Sequence, residues 1–404
     1  MHKDIPLLFT TRIIRMFGYG FLSVVLALYL AKRGLTEGEI GLLLTLTLAG
    51  DAGITLWLTT TADRMGRRRM LIIGATLMIM AGVIFSLTGN FILLVVTAII
   101  GVISPSGNEI GPFLSIEQAA LSQLLPDEKR TQIFAWYNLV GSFATATGAL
   151  VGGGLAQLLQ GNGYTPLNSY RAVVLGYTAI GVVLSLLFLR LSQEVEAPRL
   201  DEAIPIQRKL GLHKSRRVVL RLSSLFAVDA FAGGLVVQSM VAYWFNIKFG
   251  VQPAVLGSIF FGANILAGVS ALSAAWIAKR IGLINTMVFT HIPSNILLIL
   301  VPFMPTLPLA IIVLLLRFSI SQMDVPTRQS YTMAVVSPDE RSAVMGVTSI
   351  ARSVGATLSP AITGQLLAVT SLIGVPFIIA GGLKIVYDLL IWRGFQAVKP
   401  PEER

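Results

Sequence analysis

Long runs of apolar residues, separated by short polar or Gly/Pro-containing breaks, dominate the pattern of this chain. A helix needs about 20 apolar residues to cross the hydrocarbon core of a membrane. Twelve runs reach this length, at approximately 9–31, 40–62, 69–89, 91–116, 131–158, 172–192, 219–246, 254–278, 283–303, 307–332, 342–367 and 375–392. The pattern predicts an all-α membrane protein with twelve transmembrane helices. No small-residue cleavage site follows the first run, so we expect it to remain as a helix.

A polar stretch near the middle of the chain, 192–217, divides the twelve runs into two sets of six. We therefore expect four parts: an N-terminal six-helix bundle, a cytoplasmic linker, a C-terminal six-helix bundle and a short cytoplasmic tail, over residues 1–190, 191–218, 219–392 and 393–404.

The two halves are related by an internal repeat. Residues 62–66 (ADRMG) recur as 278–282 (AKRIG), and the Lys-Arg-Gly at 32–34 recurs as the Lys-Phe-Gly at 248–250, both at an offset of 216. A third anchor, the Pro-Asp-Glu motif at 126, recurs at 338. Since six helices separate the copies, both have the same orientation in the membrane, which is the parallel repeat of a two-bundle transporter.

Composition agrees with a membrane protein. The chain is 54% hydrophobic and 13% charged, whereas soluble proteins carry roughly 25% charged residues. An ordinary soluble enzyme is therefore excluded. The absence of cysteine excludes disulfides and thiolate metal sites.

The net charge of +11 has a topological origin. With the N-terminus inside the cell, the inner ends and loops hold 22 Lys and Arg residues and the outer loops hold four. This asymmetry follows the positive-inside rule and predicts a multi-pass protein of a bacterial-like inner membrane with both termini in the cytoplasm. The basic residues are spread over many loops, so no nucleic-acid partner is expected.

The loop at 62–69 (ADRMGRRR) resembles the signature Gly-x-Leu-Ala-Asp-Arg-x-Gly-Arg-Arg of the major facilitator superfamily of secondary transporters, at the same place between helices 2 and 3. Thr59 and Thr61 replace the usual Gly and Leu. The resemblance implies alternating access by rocking of the two bundles. It also implies a gating role for the motif residues Asp63, Arg64, Gly66 and Arg67, although a purely topological role for the arginines stays open.

A glycine-rich run in helix 5, 148–153, resembles the Gly-Pro-x-x-Gly-Gly of proton-coupled antiporters, with Ala149 in place of Pro. Helix 11 has a related run at 355–360. Small residues let membrane helices approach closely. We expect the packing and rocking positions to include Gly148, Gly152, Gly153, Gly355 and Pro360, with ordinary helix packing as the alternative.

Charged residues inside the predicted helices are candidates for function because burying a charge in lipid costs at least about 2.5–3.5 kcal/mol. Asp51 lies near the middle of helix 2. Folding helix 1 back onto helix 2 places Tyr19 opposite Asp51, with Arg15 one turn away. We expect an Arg15–Asp51 ion pair, which is either structural or broken by protonation or substrate.

Helix 4 carries Glu109 and Glu117 within SPSGNEIGPFLSIEQ. Its prolines and glycines prevent a regular helix, and irregular backbone at membrane depth is tolerated where it is buried or lines a cavity. We expect Glu109 to carry protons, with a structural carboxylate as the alternative, and Glu117 to lie at the cytoplasmic mouth.

The C-terminal half carries a second charged set. Arg317, Asp324 and Arg328 share one face of helix 10, because residues seven apart are about 20° apart on a helix. Arg352 of helix 11 and Asp229 of helix 7 complete the set. Arginine suits carboxylate or phosphate groups, so this set could hold an anionic substrate. The alternative is internal pairing, Arg317 or Arg328 with Asp324 and Arg352 with Asp229.

Three further intramembrane residues favour structural roles. Lys384 and Asp388, four residues apart on helix 12, are expected to pair with each other. His291 of helix 9 is expected to be structural rather than a proton relay.

The function predicted from these features is proton-coupled efflux of a small organic compound, anionic or amphipathic, by a monomer whose partners are substrate, protons and membrane lipid. No phosphate-binding loop, cofactor site, metal site or hydrolytic constellation is recognised, so an enzyme is not expected. The alternatives are proton-linked uptake of a small metabolite and a non-transporting sensor or scaffold, which should tolerate neutralising Asp51 and Glu109.

Overall fold

A computed structural model describes residues 3–109, 111–125, 127–196, 215–336 and 340–396. Within these ranges the chain is almost entirely helical and contains no strand. The helices are α1 (Asp4–Ser23), α2 (Leu26–Lys32), α3 (Glu37–Met65), α4 (Arg67–Leu87), α5 (Phe91–Ile100), α6 (Phe113–Leu124), α7 (Asp127–Gly161), α8 (Pro166–Phe188), α9 (Arg216–Gly234), α10 (Gln238–Phe249), α11 (Pro253–Ile281), α12 (Leu283–Leu300), α13 (Leu307–Ile320), α14 (Asp324–Ala334), α15 (Arg341–Thr357), α16 (Ser359–Leu367) and α17 (Val375–Phe395).

The all-α prediction is confirmed, and each of the twelve predicted runs overlaps one helix or one pair of consecutive helices. In the described chain, nine helical segments are long and apolar enough to span a membrane, and the bent pair α1–α2 is a tenth. The other two runs, 91–116 and 342–367, coincide with the pairs α5–α6 and α15–α16. The first of these pairs is interrupted by non-helical backbone over 101–109 and 111–112.

Contacts divide the chain into two compact units. The first consists of Met1–Asp201 and Val237–Asn264. In this unit α1 packs against α7 and α8, α4 packs against α8, and α3 packs against α5. Helix α10 packs on α2, and the Tyr243 hydroxyl donates a hydrogen bond of 2.9 Å to Glu37 Oε1. These contacts place α10 and the first part of α11 in the first unit.

The second unit consists of Glu202–Val236 and Ile265–Arg404. Here α9 packs against α15 and α17, and α12 packs against α13, α14 and α17. A buried apolar core between these helices includes Leu222, Phe226 and Met287. The predicted limits of the bundles, linker and tail remain predictions, and most of the linker, 197–214, lies outside the described residues.

Candidate functional site

Five side chains from separate segments of the first unit form one buried network, called here the first ion cluster: Arg12, Arg15, Glu109, Glu117 and Tyr137. Arg15 donates to both oxygens of Glu117, at 2.8 and 2.7 Å, and from Nε to Glu109 Oε1 at 2.9 Å. Arg12 pairs with Glu109, and the Tyr137 hydroxyl donates to Glu117. The cluster thus joins α1, α6, α7 and the 101–112 segment.

Burial differs among the four charges of the first ion cluster. The Arg15 and Glu117 side chains are fully buried, whereas the Glu109 side chain is 13% exposed. Glu117 also accepts a hydrogen bond of 2.8 Å from Thr11. A fully buried pair with all its oxygens hydrogen-bonded is a structural anchor. Glu109 is therefore the carboxylate of this cluster that solvent reaches most easily. The Glu117 side chain is buried, and its position at the cytoplasmic mouth remains a prediction.

Irregular backbone brings the two glutamates to α1. Gly107 and Gly111 have φ values of +69° and +76°, which favour glycine because other residues are strained there. Pro112 then precedes the first residue of α6. With helix 4 broken in this way, Glu109 leaves the helical path and turns toward the two arginines.

Asp51 lies outside the first ion cluster. Its Oδ1 accepts a hydrogen bond of 2.7 Å from the backbone N–H of Gly111 and one of 3.4 Å from Thr55. Arg15 pairs instead with the two glutamates, so the predicted Arg15–Asp51 ion pair is wrong. Folding α1 onto α3 brings Asp51 near Arg15 but leaves out Glu109, whose carboxylate competes for Arg15.

A second ion cluster occupies the second unit and consists of Asp229, Asp324, Arg328, Arg352 and Lys384. Asp229 accepts from three cations: Lys384 at 2.5 Å, Arg352 at 2.8 Å and Arg328 at 3.3 Å. Arg328 also donates to Asp324 at 2.7 Å. The alternative of internal pairing is thus observed for Arg352 with Asp229 and for Arg328 with Asp324. The cluster thus holds three cations and two carboxylates, so positive charge is in excess there.

Exposure singles out one cation of the second ion cluster. The Arg352 side chain is 35% exposed, whereas Lys384 and Arg328 are 10% and 8% exposed. A guanidinium with free donors can bind a carboxylate or phosphate in a bidentate manner. Arg352 is therefore the cation most accessible to an incoming anion.

Arg317 does not pair with Asp324. Helix α13 ends at Ile320 and α14 begins at Asp324, so the uninterrupted helical face expected for Arg317, Asp324 and Arg328 is broken. The Arg317 guanidinium stacks over the ring of Phe318 at 4.7 Å, and its Nε is buried without a hydrogen-bond partner.

The predicted Lys384–Asp388 pair is also wrong. Lys384 binds Asp229, while Asp388 binds His291 Nδ1 at 2.8 Å and accepts from Asn295 at 3.3 Å. Neighbours four residues apart on a helix gain little from pairing, and each found a partner on another helix.

The turn between α3 and α4 contains the signature loop. Gly66 has a φ of +102°, as its role in a tight turn requires. The carboxylate of Glu196 accepts from the backbone N–H groups of Arg67 and Arg68 at 2.5 and 3.3 Å and so caps α4. The side chains of Asp63 and Arg64 lie outside the described part of the chain, so their gating role remains a prediction.

The glycine positions correspond to close helix approaches. A Cβ at Gly148 or Gly152 would clash with the backbone carbonyls of Phe17 and Phe21 on α1, and one at Gly153 would clash with α11. A Cβ at Gly355 would clash with the carbonyl of Ala227 on α9. Pro360, in the first turn of α16, is buried. These glycines permit helix packing, and their part in rocking remains a prediction.

Three side chains that form these contacts were not predicted from the sequence. Arg12 was counted with the basic residues that fix topology, but it is 5% exposed and pairs with Glu109. Tyr137 and Glu196 received no role. A charged or phenolic side chain inside a run of apolar residues was the available signal for Arg12 and Tyr137, whereas nothing local marked Glu196 as a helix cap.

Comparison with known proteins gives the family. The Major Facilitator Superfamily sequence model matches residues 8–360 and 248–404. The chain is 34% identical over 419 residues to the uncharacterized membrane protein YJR124C of Saccharomyces cerevisiae, covering 96% of this chain and 93% of that protein. It is 24% identical over 158 residues, 39% of each chain, to the quinolone resistance protein NorA of Staphylococcus aureus.

A crystal structure of a D-xylose–proton symporter has the same fold, with a TM-score of 0.75 and 15% sequence identity over 97% of this chain and 98% of that one. At 15% identity this likeness shows the fold alone. The expected family and fold class are confirmed: this all-helical, multi-pass membrane protein belongs to the Major Facilitator Superfamily.

Proposed function

We propose that the protein is a proton-coupled exporter of a small organic anion or amphipathic acid, and that it works as a monomer by alternating access. The observation that carries the proposal is the sharing of Asp229 among Lys384, Arg352 and Arg328. Arg328 is also paired with Asp324, so the cluster holds three cations and two carboxylates, and an added anion would lower the electrostatic energy of the site. The exposed guanidinium of Arg352 is the proposed point of first contact.

The proposed substrate has an anionic group and an apolar body. Its carboxylate or phosphate would bind Arg352 in a charge-assisted, bidentate manner. Neutral sugars lack the charge that this site would recognise.

Proton coupling is proposed for the first unit, where Glu109 and Asp51 are acidic groups within the membrane span. No nucleotide-binding motif occurs in the sequence, so an ion gradient is the proposed source of energy. Export is favoured by the glycine run at 148–153 and by the partial match to a quinolone resistance protein. The charge distribution of the loops favours a cell membrane location with both termini in the cytoplasm.

The test is transport by the purified protein in liposomes under an imposed pH gradient, with labelled organic anions and cationic dyes as candidate substrates. The proposal expects gradient-dependent movement of an anion and its loss in Arg352→Gln. Movement of a cationic dye alone would refute the anion site. Absence of any flux under every gradient would favour the sensor or scaffold alternative.

Proton-linked uptake of a metabolite is distinguished by direction. Export by exchange moves protons and substrate in opposite directions, whereas uptake by symport moves them together. The sign of the proton flux that accompanies a known anion flux decides between the two.

A further inference from the structure

Asp51 is unlike the other intramembrane acids of the described chain. Glu109, Glu117 and Asp229 each bind at least one arginine, and Asp388 binds His291. Asp51 instead accepts only from the Gly111 backbone N–H and the Thr55 hydroxyl among the described residues. Among the described residues, an ionised carboxylate in this position has no cation to offset its partial burial.

The depth of Asp51 makes this lack of a counter-ion significant. The span of α3 runs from Glu37 to Ala62. At 1.5 Å per residue, Asp51 lies about 21 Å from its start and about 16 Å from its end. A charge near the centre of a membrane is costly, so such a group is expected to exchange protons during function.

The other groups that face Asp51 leave it without a cation. Tyr19 of α1 and Tyr177 of α8 lie close enough to interact with it electrostatically. Helix α5, which packs along α3, has no ionisable residue, and the ionisable residues of α4 are the arginines of its first turn. The charged residue of α2 is Lys32, in its last turn, and that of α6 is Glu117, which binds Arg15.

We propose that Asp51 is the proton-binding site of the first unit and that Gly111 transmits its protonation to Glu109. The inference rests on the proposed proton-coupled transport and names the group that receives the proton. Glu109 is less suited to this role because protonating it would leave Arg12 and Arg15 short of a negative charge in a buried site. Protonating Asp51 removes a charge that has no partner.

The route of transmission is short. Gly111 is two residues from Glu109 in the sequence, and both residues lie in non-helical backbone. A hydrogen bond to a charged acceptor is roughly twice as strong as one to a neutral acceptor. When Asp51 is ionised, it holds Gly111 firmly and keeps Glu109 against the arginines. When Asp51 binds a proton, this hold weakens, the backbone around Gly111 opens and water reaches the ion pairs of Glu109 with Arg12 and Arg15.

Thiol labelling of the 101–112 segment tests the proposal without a known substrate. The chain has no cysteine, so Asn108→Cys introduces a single thiol at an exposed position of the segment. N-ethylmaleimide reacts with this thiol at a series of pH values. Asn162→Cys, in the exposed turn after α7, corrects for the pH dependence of the thiol itself.

The corrected labelling rate of Asn108→Cys is expected to rise about tenfold as the pH falls, since the segment is held less strongly. Adding Asp51→Asn should make the rate high at every pH, whereas Asp51→Glu should keep the pH dependence. Adding Glu109→Gln should also keep it, because the proton binds elsewhere. A pH dependence that survives Asp51→Asn, or that disappears only in Glu109→Gln, would overturn the proposal.

Transport separates this inference from the proposed function. In liposomes, Asp51→Asn should lose accumulation driven by a pH gradient but keep exchange of labelled for unlabelled anion, since exchange needs no proton release. Asp51-dependent labelling without any anion transport by the parent protein would leave the proton site standing and refute the anion exporter. Anion transport by the parent protein, with unchanged proton coupling in Asp51→Asn, would leave the anion exporter standing and refute the proton site.

Discussion

Replacing Asp229 with Asn tests the charge arrangement of the second ion cluster. The substitution keeps the shape of the side chain but removes the one carboxylate shared by Lys384, Arg352 and Arg328. Arg328 retains Asp324 at 2.7 Å, and Arg352 is partly exposed to solvent. Lys384 is left as a buried, uncompensated ammonium group, which is the main source of the expected loss of stability.

Breaking a buried ion pair by removing one partner costs about 3–5 kcal/mol. For a folding unit of this size, each kcal/mol lowers the melting temperature by about 2–4 °C. Asp229→Asn is therefore expected to lower the melting temperature of the purified protein by roughly 6–20 °C. Intrinsic tryptophan fluorescence during heating measures this change, because the chain has five tryptophans.

The double variant Asp229→Asn with Lys384→Met is the control. Removing the stranded ammonium should recover about 1–3 kcal/mol of the loss, because directly interacting residues are non-additive. If Asp229→Asn alone does not fold, the double variant still tests the interpretation. The amount of folded protein that it recovers then reports the coupling between Asp229 and Lys384. A melting temperature of Asp229→Asn within about 2 °C of the parent, or strictly additive effects in the double variant, would refute the shared-charge interpretation.

Three further predictions concern the first unit. Gly148→Ala should lower the free energy of unfolding by about 1–3 kcal/mol and slow any transport, because the added Cβ would clash with the backbone of α1. Gly154→Ala is the matched control and should be neutral, because a Cβ there would have no neighbour within 4 Å. Tyr137→Phe removes a hydrogen bond to the buried carboxylate of Glu117 and should cost about 1.5–3 kcal/mol, so an unchanged melting temperature would argue against that bond. Glu196→Gln weakens the cap of α4 and should lower stability by about 0.5–2 kcal/mol, with faster amide exchange in the first turn of α4 as the specific readout.

The sequence predicted the helices well because the length of an apolar run is a direct physical requirement of the membrane. It also predicted the Arg352–Asp229 pair, since both side chains lie near mid-depth and a charge there must find a partner. The Arg328–Asp324 pair followed from helical spacing within α14. Each of these inferences depends on one dimension of the structure, either depth or position along a helix.

The wrong predictions concern side-chain partners that lie on separate helices. Arg15 binds Glu109 and Glu117 rather than Asp51 because the break in helix 4 redirects the chain. Prolines and glycines in the sequence show that a helix breaks, but they do not show in which direction the chain continues. Lys384 binds Asp229 on another helix although Asp388 is nearer in sequence. Side-chain partners on separate helices depend on helix rotation, which a single sequence does not specify.

The most direct test of the proposed function is the proton flux that accompanies an imposed anion gradient in proteoliposomes containing a trapped pH-sensitive dye. The proposal predicts that outward flow of a labelled organic anion drives protons in the opposite direction, and that both fluxes are lost together in Arg352→Gln. Anion flow without any proton movement, or a flux that is unaffected by Arg352→Gln, would contradict it.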